Sequence, residues 1–128
     1  MRSMEPVSGL RTLLIVDDSA AVCTAVAAYM SNIGDWDAVL VAPTAGSGLE
    51  LATEHHPDAI VLDNQMPGGD GIDVLHELRT ACPDARIVMH TSEESWVLRE
   101  RARELGADAF VAKGSPLDEL ASTLGVVA

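Results

Sequence analysis

The stretch Leu13-Leu14-Ile15-Val16-Asp17-Asp18-Ser19 carries the fold in miniature. Four consecutive apolar residues without polar alternation mark a strand covered on both faces, and two acids end the run. Asp18 or Ser19 then offers the short acceptor side chain that caps a helix. The helix that follows sets Val22, Val26 and Met30 on one stripe and stops at Gly34. One strand and one helix make a βα unit, and the same punctuation recurs four more times. Ala38–Ala42 ends at Pro43-Thr44, Ala59–Leu62 at Asp63-Asn64, Arg86–His90 at Thr91-Ser92, and Ala109–Ala112 at Lys113-Gly114. The intervening helices run over Leu49–His55, then through Ile72, Leu75 and Leu78 to a stop before Pro83, then through Val97, Leu98, Ala102 and Leu105 to Gly106. The last opens at Ser115-Pro116, with Pro116 at the first helical position, and carries Leu117, Leu120 and Leu124. This strict alternation predicts an α/β fold: a doubly wound, five-stranded parallel sheet, (βα)5, with helices on both faces.

The 128 residues suit one domain. Hydrophobic residues make up 48 %, but 18 are alanines and only four are aromatic (Tyr29, Trp36, Trp96, Phe110). Such a core suits helices packed closely on a sheet better than a β-sandwich. A net charge of −12 argues against direct binding to nucleic acid or to an anionic membrane. Cys23 and Cys82 are too few for a disulfide scaffold, and no export signal precedes them, so a cytoplasmic setting is expected. Residues 1–10 carry scattered charge with Pro6 and Gly9 and read as a flexible lead-in to a domain over 11–126. The longest nearly apolar stretch, Ala20 to Met30, is eleven residues and too short to cross a bilayer.

Polar residues gather at the strand ends. Asp17-Asp18, Asp63, Thr91 and Lys113 each follow a different predicted strand, and in an open parallel sheet the crevice outside those ends is where ligands bind. Two like charges 4 Å apart repel by roughly 4 kcal/mol at an effective dielectric near 20. Three carboxylates meeting there must therefore raise a pKa or recruit a cation, and hard oxygen ligands suit Mg²⁺. With Mg²⁺ present, Asp63 is placed to attack phosphorus and form an acyl phosphate, while Lys113 and the Thr91 hydroxyl hold phosphoryl oxygens. Lys113 is the only lysine in the chain.

The segments LLIVDDS (13–19), IVLDNQMPGGDG (60–71), IVMHTS (87–92) and GADAFVAKGS (106–115) resemble the signature segments of response-regulator receiver domains of two-component signalling, over about Arg11 to Leu124. The resemblance implies the flavodoxin-like strand order 2-1-3-4-5. It implies that Asp63 is the phosphoacceptor, that Asp18 ligates Mg²⁺ directly and Asp17 through water, and that the main-chain carbonyl of Gln65 is a further ligand. It makes Thr91 the switch hydroxyl, Lys113 the phosphate-binding lysine, and Phe110 the aromatic whose rotamer follows phosphorylation; Pro67 and Gly71 match the turn after the acceptor strand. The implied function is a single-domain response regulator, not an enzyme in the turnover sense. It takes a phosphoryl group from a sensor histidine kinase or a histidine phosphotransfer protein and switches a face that meets a downstream protein. The face expected to change is built from the fourth helix, fifth strand and fifth helix, in a monomer or a weak phosphorylation-dependent dimer.

Two departures bear on output. Gly114 stands where many receivers have a proline and a cis bond, and Lys113-Gly114-Ser115-Pro116 resembles receivers fused to helix-turn-helix DNA-binding domains. The last helix has no basic residue, so a charge-paired dimer through the fourth and fifth helices lacks its last-helix partner. The alternatives are thus a receiver detached from a DNA-binding regulator, or a Mg²⁺-dependent aspartyl phosphohydrolase. The second needs an acid two residues after its nucleophile, where Asp63 is followed by Gln65 and Asp17 by Ser19. The remaining motifs read as structure. His55-His56 close a helix near its dipole, His76 lies on an outer face, and His90 sits inside a strand. Gly46-Ser47-Gly48 is too short for a dinucleotide fingerprint. Arg99, Arg101 and Arg103 alternate with Glu100 and Glu104 as on a solvated face, and Trp96 is the candidate exposed aromatic.

Overall fold

The computed structural model describes residues 11–34 and 36–125; the expected lead-in over 1–10 and the domain end at 126 lie outside them. Strands β1 (Thr12–Val16), β2 (Ala38–Ala42), β3 (Ala59–Leu62), β4 (Arg86–Thr91) and β5 (Ala109–Ala112) form one parallel sheet in the order β2-β1-β3-β4-β5. Between and after them run α1 (Ala20–Ile33), α2 (Ala45–His55), α3 (Ile72–Ala81), α4 (Trp96–Glu104) and α5 (Leu117–Thr123).

Alternate strand residues feed two cores. Leu14, Val16, Ile60, Leu62, Ile87 and Met89 pack with Ala52, Leu75, Leu78 and Ala102 beneath α2, α3 and α4. Leu13, Ile15, Val61, Val88 and Val111 pack with Cys23, Val26, Met30 and Leu120 beneath α1 and α5. Each large side chain sealed in this way contributes about 1.5–3 kcal/mol, which is why the strands read as unbroken apolar runs. The edge strands are the exceptions, β5 being half-buried at three of its four residues and β2 the more exposed. The apolar sequence of β2 predicts cover on both faces, but it is an edge strand, and Val41 is 46 % exposed.

Local chemistry sets the helix starts. Ser19, not Asp18, caps α1: its Oγ accepts the Val22 N–H at 3.2 Å. Helix α2 begins at Ala45, four residues before the expected Leu49. There Thr44 Oγ1 accepts the Ser47 N–H at 3.0 Å and Ser47 Oγ accepts the Thr44 N–H at 3.2 Å, a reciprocal cap. Gly48 lies against Val16 so closely that a Cβ there would be 2.8 Å from its methyls. The Gly46-Ser47-Gly48 triplet is therefore the first turn of a helix seated tightly on β1. Pro116 precedes α5 as its cap residue instead of opening it, and Thr91 is the last residue of β4 rather than the first beyond it.

The amino ends of the strands are tied by carboxylates. Asp37, Asp58 and Asp108, each one residue before a strand, accept the backbone N–H groups of Arg11, Thr12 and Ile87 at 2.7, 2.7 and 2.8 Å. Beside them Arg79 donates to the carbonyls of Gly106, Cys82, Pro83 and Ala85 and to Asp108, joining the α3–β4 and α4–β5 turns. Gly106 holds the second turn with φ at +116°, a region that suits glycine. No helix among the described residues is long and apolar enough to cross a membrane.

Candidate functional site

The carboxyl ends of β1, β3, β4 and β5 bring Asp17, Asp18, Asp63, Thr91 and Lys113 to one edge. The register explains how. Val16 pairs with Leu62 and Leu62 with Met89, so Asp17, Asp63 and His90 follow at the same height, while Thr91 pairs with Ala112, the neighbour of Lys113. The backbone N–H groups of Asp17, Asp63 and Lys113 extend the sheet ladder to Ala42, Val16 and Thr91, fixing their side chains over the crevice.

Asp17 and Asp63 are each only 3 % exposed, whereas Asp18 reaches solvent. One oxygen of each buried acid takes a local amide: Asp17 Oδ1 accepts the Ser19 N–H at 2.9 Å, and Asp63 Oδ1 the Asn64 N–H at 2.8 Å. The other oxygens converge on Lys113, whose Nζ is 2.9 Å from Asp17 Oδ2 and 3.1 Å from Asp63 Oδ2. Oxygens of Asp17, Asp18 and Asp63 lie within 4.8 Å of one another, a hard donor set that fits a divalent cation. Gln65 is exposed and follows Asn64 directly on the turn that leaves β3.

Burial pushes the Asp63 carboxyl above its ordinary pKa and the Asp17 charge adds to this; the Lys113 hydrogen bond opposes both, and the Thr91 hydroxyl opposes them least. Lys113 is held above its ordinary value: burial works against its charge, but the hydrogen bonds to Asp17 and Asp63 outweigh it. Lys113 thus pairs with two of the three carboxylates, and the cluster holds more acids than cations.

Thr91 is fully buried, and its Oγ1 accepts the Glu93 N–H at 3.3 Å. Phe110 pairs with Met89 two residues down the ladder, hence on the Thr91 face of the sheet; it is half-buried, with the Arg99 guanidinium 5.0 Å from its ring centre. Trp96 is 76 % exposed and Val97 60 %, so the first turn of α4 offers an apolar pair to solvent. Arg103 pairs with Glu100, as expected of a solvated face. Among the described residues no peptide bond is cis, the Lys113–Gly114 bond included.

Four further residues shape the site. Gly71 packs so tightly on β3 that a Cβ would fall 2.1 Å from the Asp63 carbonyl oxygen. Asn64, beside Asp63, is hydrogen-bonded to Glu93 at 2.6 Å. His90 is 3 % exposed with neither ring nitrogen partnered; burial, then the Lys113 charge, lower its pKa and keep it neutral. Gly71 was legible as part of the turn; Asn64 and Glu93 lie 29 residues apart and carry no periodic signal.

A parallel sheet in this order, with acids and one lysine at its carboxyl edge, defines a class of fold in which small polar ligands meet strand ends. The family model described as response regulator receiver domain matches residues 13–125, and the chain belongs to that family. The response regulator GacA of Pseudomonas aeruginosa is 30 % identical over 112 residues, which are 88 % of this chain and 52 % of GacA. A CheY-like receiver domain protein from Methanospirillum hungatei superposes with a TM-score of 0.84 at 25 % identity, covering 91 % of each chain. A response regulator from Burkholderia pseudomallei, whose structure holds a phosphorylated aspartic acid, a calcium ion and citrate, gives 0.83 at 25 % identity over 89 % of this chain and 66 % of that one. The chain spans about half the length of the curated relatives it matches first.

Proposed function

We propose that Asp63 accepts a phosphoryl group from a phosphohistidine on a sensor histidine kinase or histidine phosphotransfer protein. The observation that carries this is the buried Asp63 carboxylate held 3.1 Å from Lys113 with Asp17 and Asp18 beside it. In the transfer an Asp63 oxygen forms a bond to phosphorus, the phosphorus–nitrogen bond breaks, and its electron pair returns to the donor imidazole. Asp18 and Asp63 would hold Mg²⁺ directly, with the Gln65 carbonyl as a further ligand and Asp17 acting through water. When bound, the metal supplies positive charge against the phosphoryl oxygens. Lys113 turns from Asp63 Oδ2 to a phosphoryl oxygen, and the Thr91 hydroxyl donates to another. Drawing Thr91 inward frees space on its face of the sheet, into which Phe110 turns away from Arg99. The surface of α4, β5 and α5 then changes shape for a downstream protein, a shift between two populations. The chain serves as an acceptor rather than a turnover enzyme, and the cytoplasm is its setting.

A second reading concerns output alone. The extra length of GacA supports a receiver that works beside a further domain in one polypeptide. The acceptor chemistry is unchanged by it.

A small-molecule phosphodonor with Mg²⁺ should add one phosphoryl group by intact-mass spectrometry, and Asp63→Asn should remove that addition. Equal labelling of both proteins overturns the assignment. Thr91→Ala should keep the label but lose the change in Trp96 fluorescence, read with Trp36 replaced.

A further inference from the structure

Asn64 is a junction at which the acceptor meets the switch loop. Its backbone N–H donates to Asp63 Oδ1 and its carbonyl accepts the Gly71 N–H, both at 2.8 Å. Its side-chain Oδ1 accepts the Ile72 N–H at 2.9 Å, which fixes the orientation of the amide and leaves Nδ2 facing Glu93. Nδ2 donates to Glu93 Oε1 at 2.6 Å, a short bond to a charged acceptor at a residue only 4 % exposed. Glu93 is held from its other side as well, since its N–H donates to Thr91 Oγ1 at 3.3 Å. The loop from Ser92 to Ser95 is therefore fastened at one residue both to the switch hydroxyl and to the neighbour of the acceptor.

We propose that Asn64 and Glu93 form a latch that holds the β4–α4 loop in its resting position and sets how readily Thr91 swings to a phosphorylated Asp63. This rests on the acceptor reading above. The Thr91 hydroxyl already faces Asp63, and it cannot move closer without lengthening the bond from the Glu93 N–H or pulling the loop along. If the loop follows, the Asn64–Glu93 bond breaks. Occupation of Asp63 must overcome that bond, so the latch trades sensitivity for a firmly closed resting state. Both residues are positioning residues that act through Thr91.

Beryllofluoride with Mg²⁺, titrated against Trp96 fluorescence in the Trp36→Phe background, tests this. Glu93→Ala should lower the half-saturating concentration about tenfold, equivalent to about 1.4 kcal/mol. Glu93→Gln keeps an acceptor oxygen for Asn64 but removes the charge, and should stay within about threefold of the Trp36→Phe parent because a neutral hydrogen bond retains roughly half the strength. If Glu93→Gln matches Glu93→Ala, the effect is repulsion of the anion by the Glu93 charge, and the latch is overturned. Because Asn64→Ala also frees the Ile72 N–H, it is read in a cycle: Glu93→Ala should add nothing in the Asn64→Ala background, and additive effects overturn the pairing. A parent response with unchanged concentrations in every variant sinks the latch alone. No response in the parent together with no phosphoryl label on it by intact mass sinks the acceptor reading and the latch with it, whereas a label without a response sinks the latch alone.

Discussion

Three aspartates at each end of one sheet are treated in opposite ways. At the amino ends Asp37, Asp58 and Asp108 each satisfy one backbone N–H at or just before a strand. At the carboxyl ends Asp17, Asp18 and Asp63 crowd together, and a single lysine pairs with two of them, Asp17 and Asp63. Geometry produces the difference. The first N–H groups of parallel strands lack ladder partners, so a carboxylate before a strand finds a donor at once. Beyond the strands the ladder consumes the amides of Asp17 and Asp63, and one oxygen of each acid is left for Lys113. Placement decides role: one end spends its acids on backbone amides, while the other leaves acids in excess of cations at the sheet edge.

That contrast can be broken by experiment. The largest effect belongs to Arg79→Ala, which strips donors from four carbonyls and should cost about 2–3 kcal/mol of unfolding free energy in urea while leaving phosphoryl labelling intact. Loss of labelling in the folded variant would erase the division of labour. Next comes the metal. With Mg²⁺ at ten times its Kd, melts should show about 1.4 kcal/mol of added stability over melts in EDTA. Asp18→Ala should lose more of this gain than Asp17→Ala, and coincident melts would show that the acidic cluster holds no metal. Asp58→Ala, which frees one edge amide, should cost about 1 kcal/mol and change Mg²⁺ binding not at all.

The smallest effect is one of sign. Burial, reinforced by the Asp17 charge, raises the Asp63 pKa, so the native state binds that proton more tightly than the unfolded chain. Stability then rises as pH falls through the raised value and stops rising below the ordinary one. In EDTA, Asp63→Asn should melt higher than wild type at neutral pH and lack the Asp63 part of that acid-side gain. A lower melting temperature at neutral pH would mean that Asp63 stabilises the fold as the amino-end acids do.

The strands were legible because burial on both faces leaves unbroken apolar runs, and the site was legible because its residues follow those runs directly. The start of α2 was not, since two glycines conceal a helix whose cap lies in the Thr44–Ser47 reciprocity and whose close approach to Val16 needs Gly48. The exposure of β2 follows from its edge position, which strand composition does not encode. The amino-end acids did leave a signal: Asp-Ala stands at 37–38, 58–59, 84–85 and 108–109, before each strand after the first. Arg79 left none, because its acceptors are backbone atoms of turns that only the folded chain assembles.

Lys113, the one lysine of the chain, also makes the site spectroscopically addressable. Feeding carbon-13-enriched lysine to cells expressing the protein labels a single side chain, and its methylene resonances need no assignment. Their chemical shifts then follow the two carboxylates 2.9 and 3.1 Å from its ammonium group, and test for metal loading and for phosphorylation of Asp63 against a silent background.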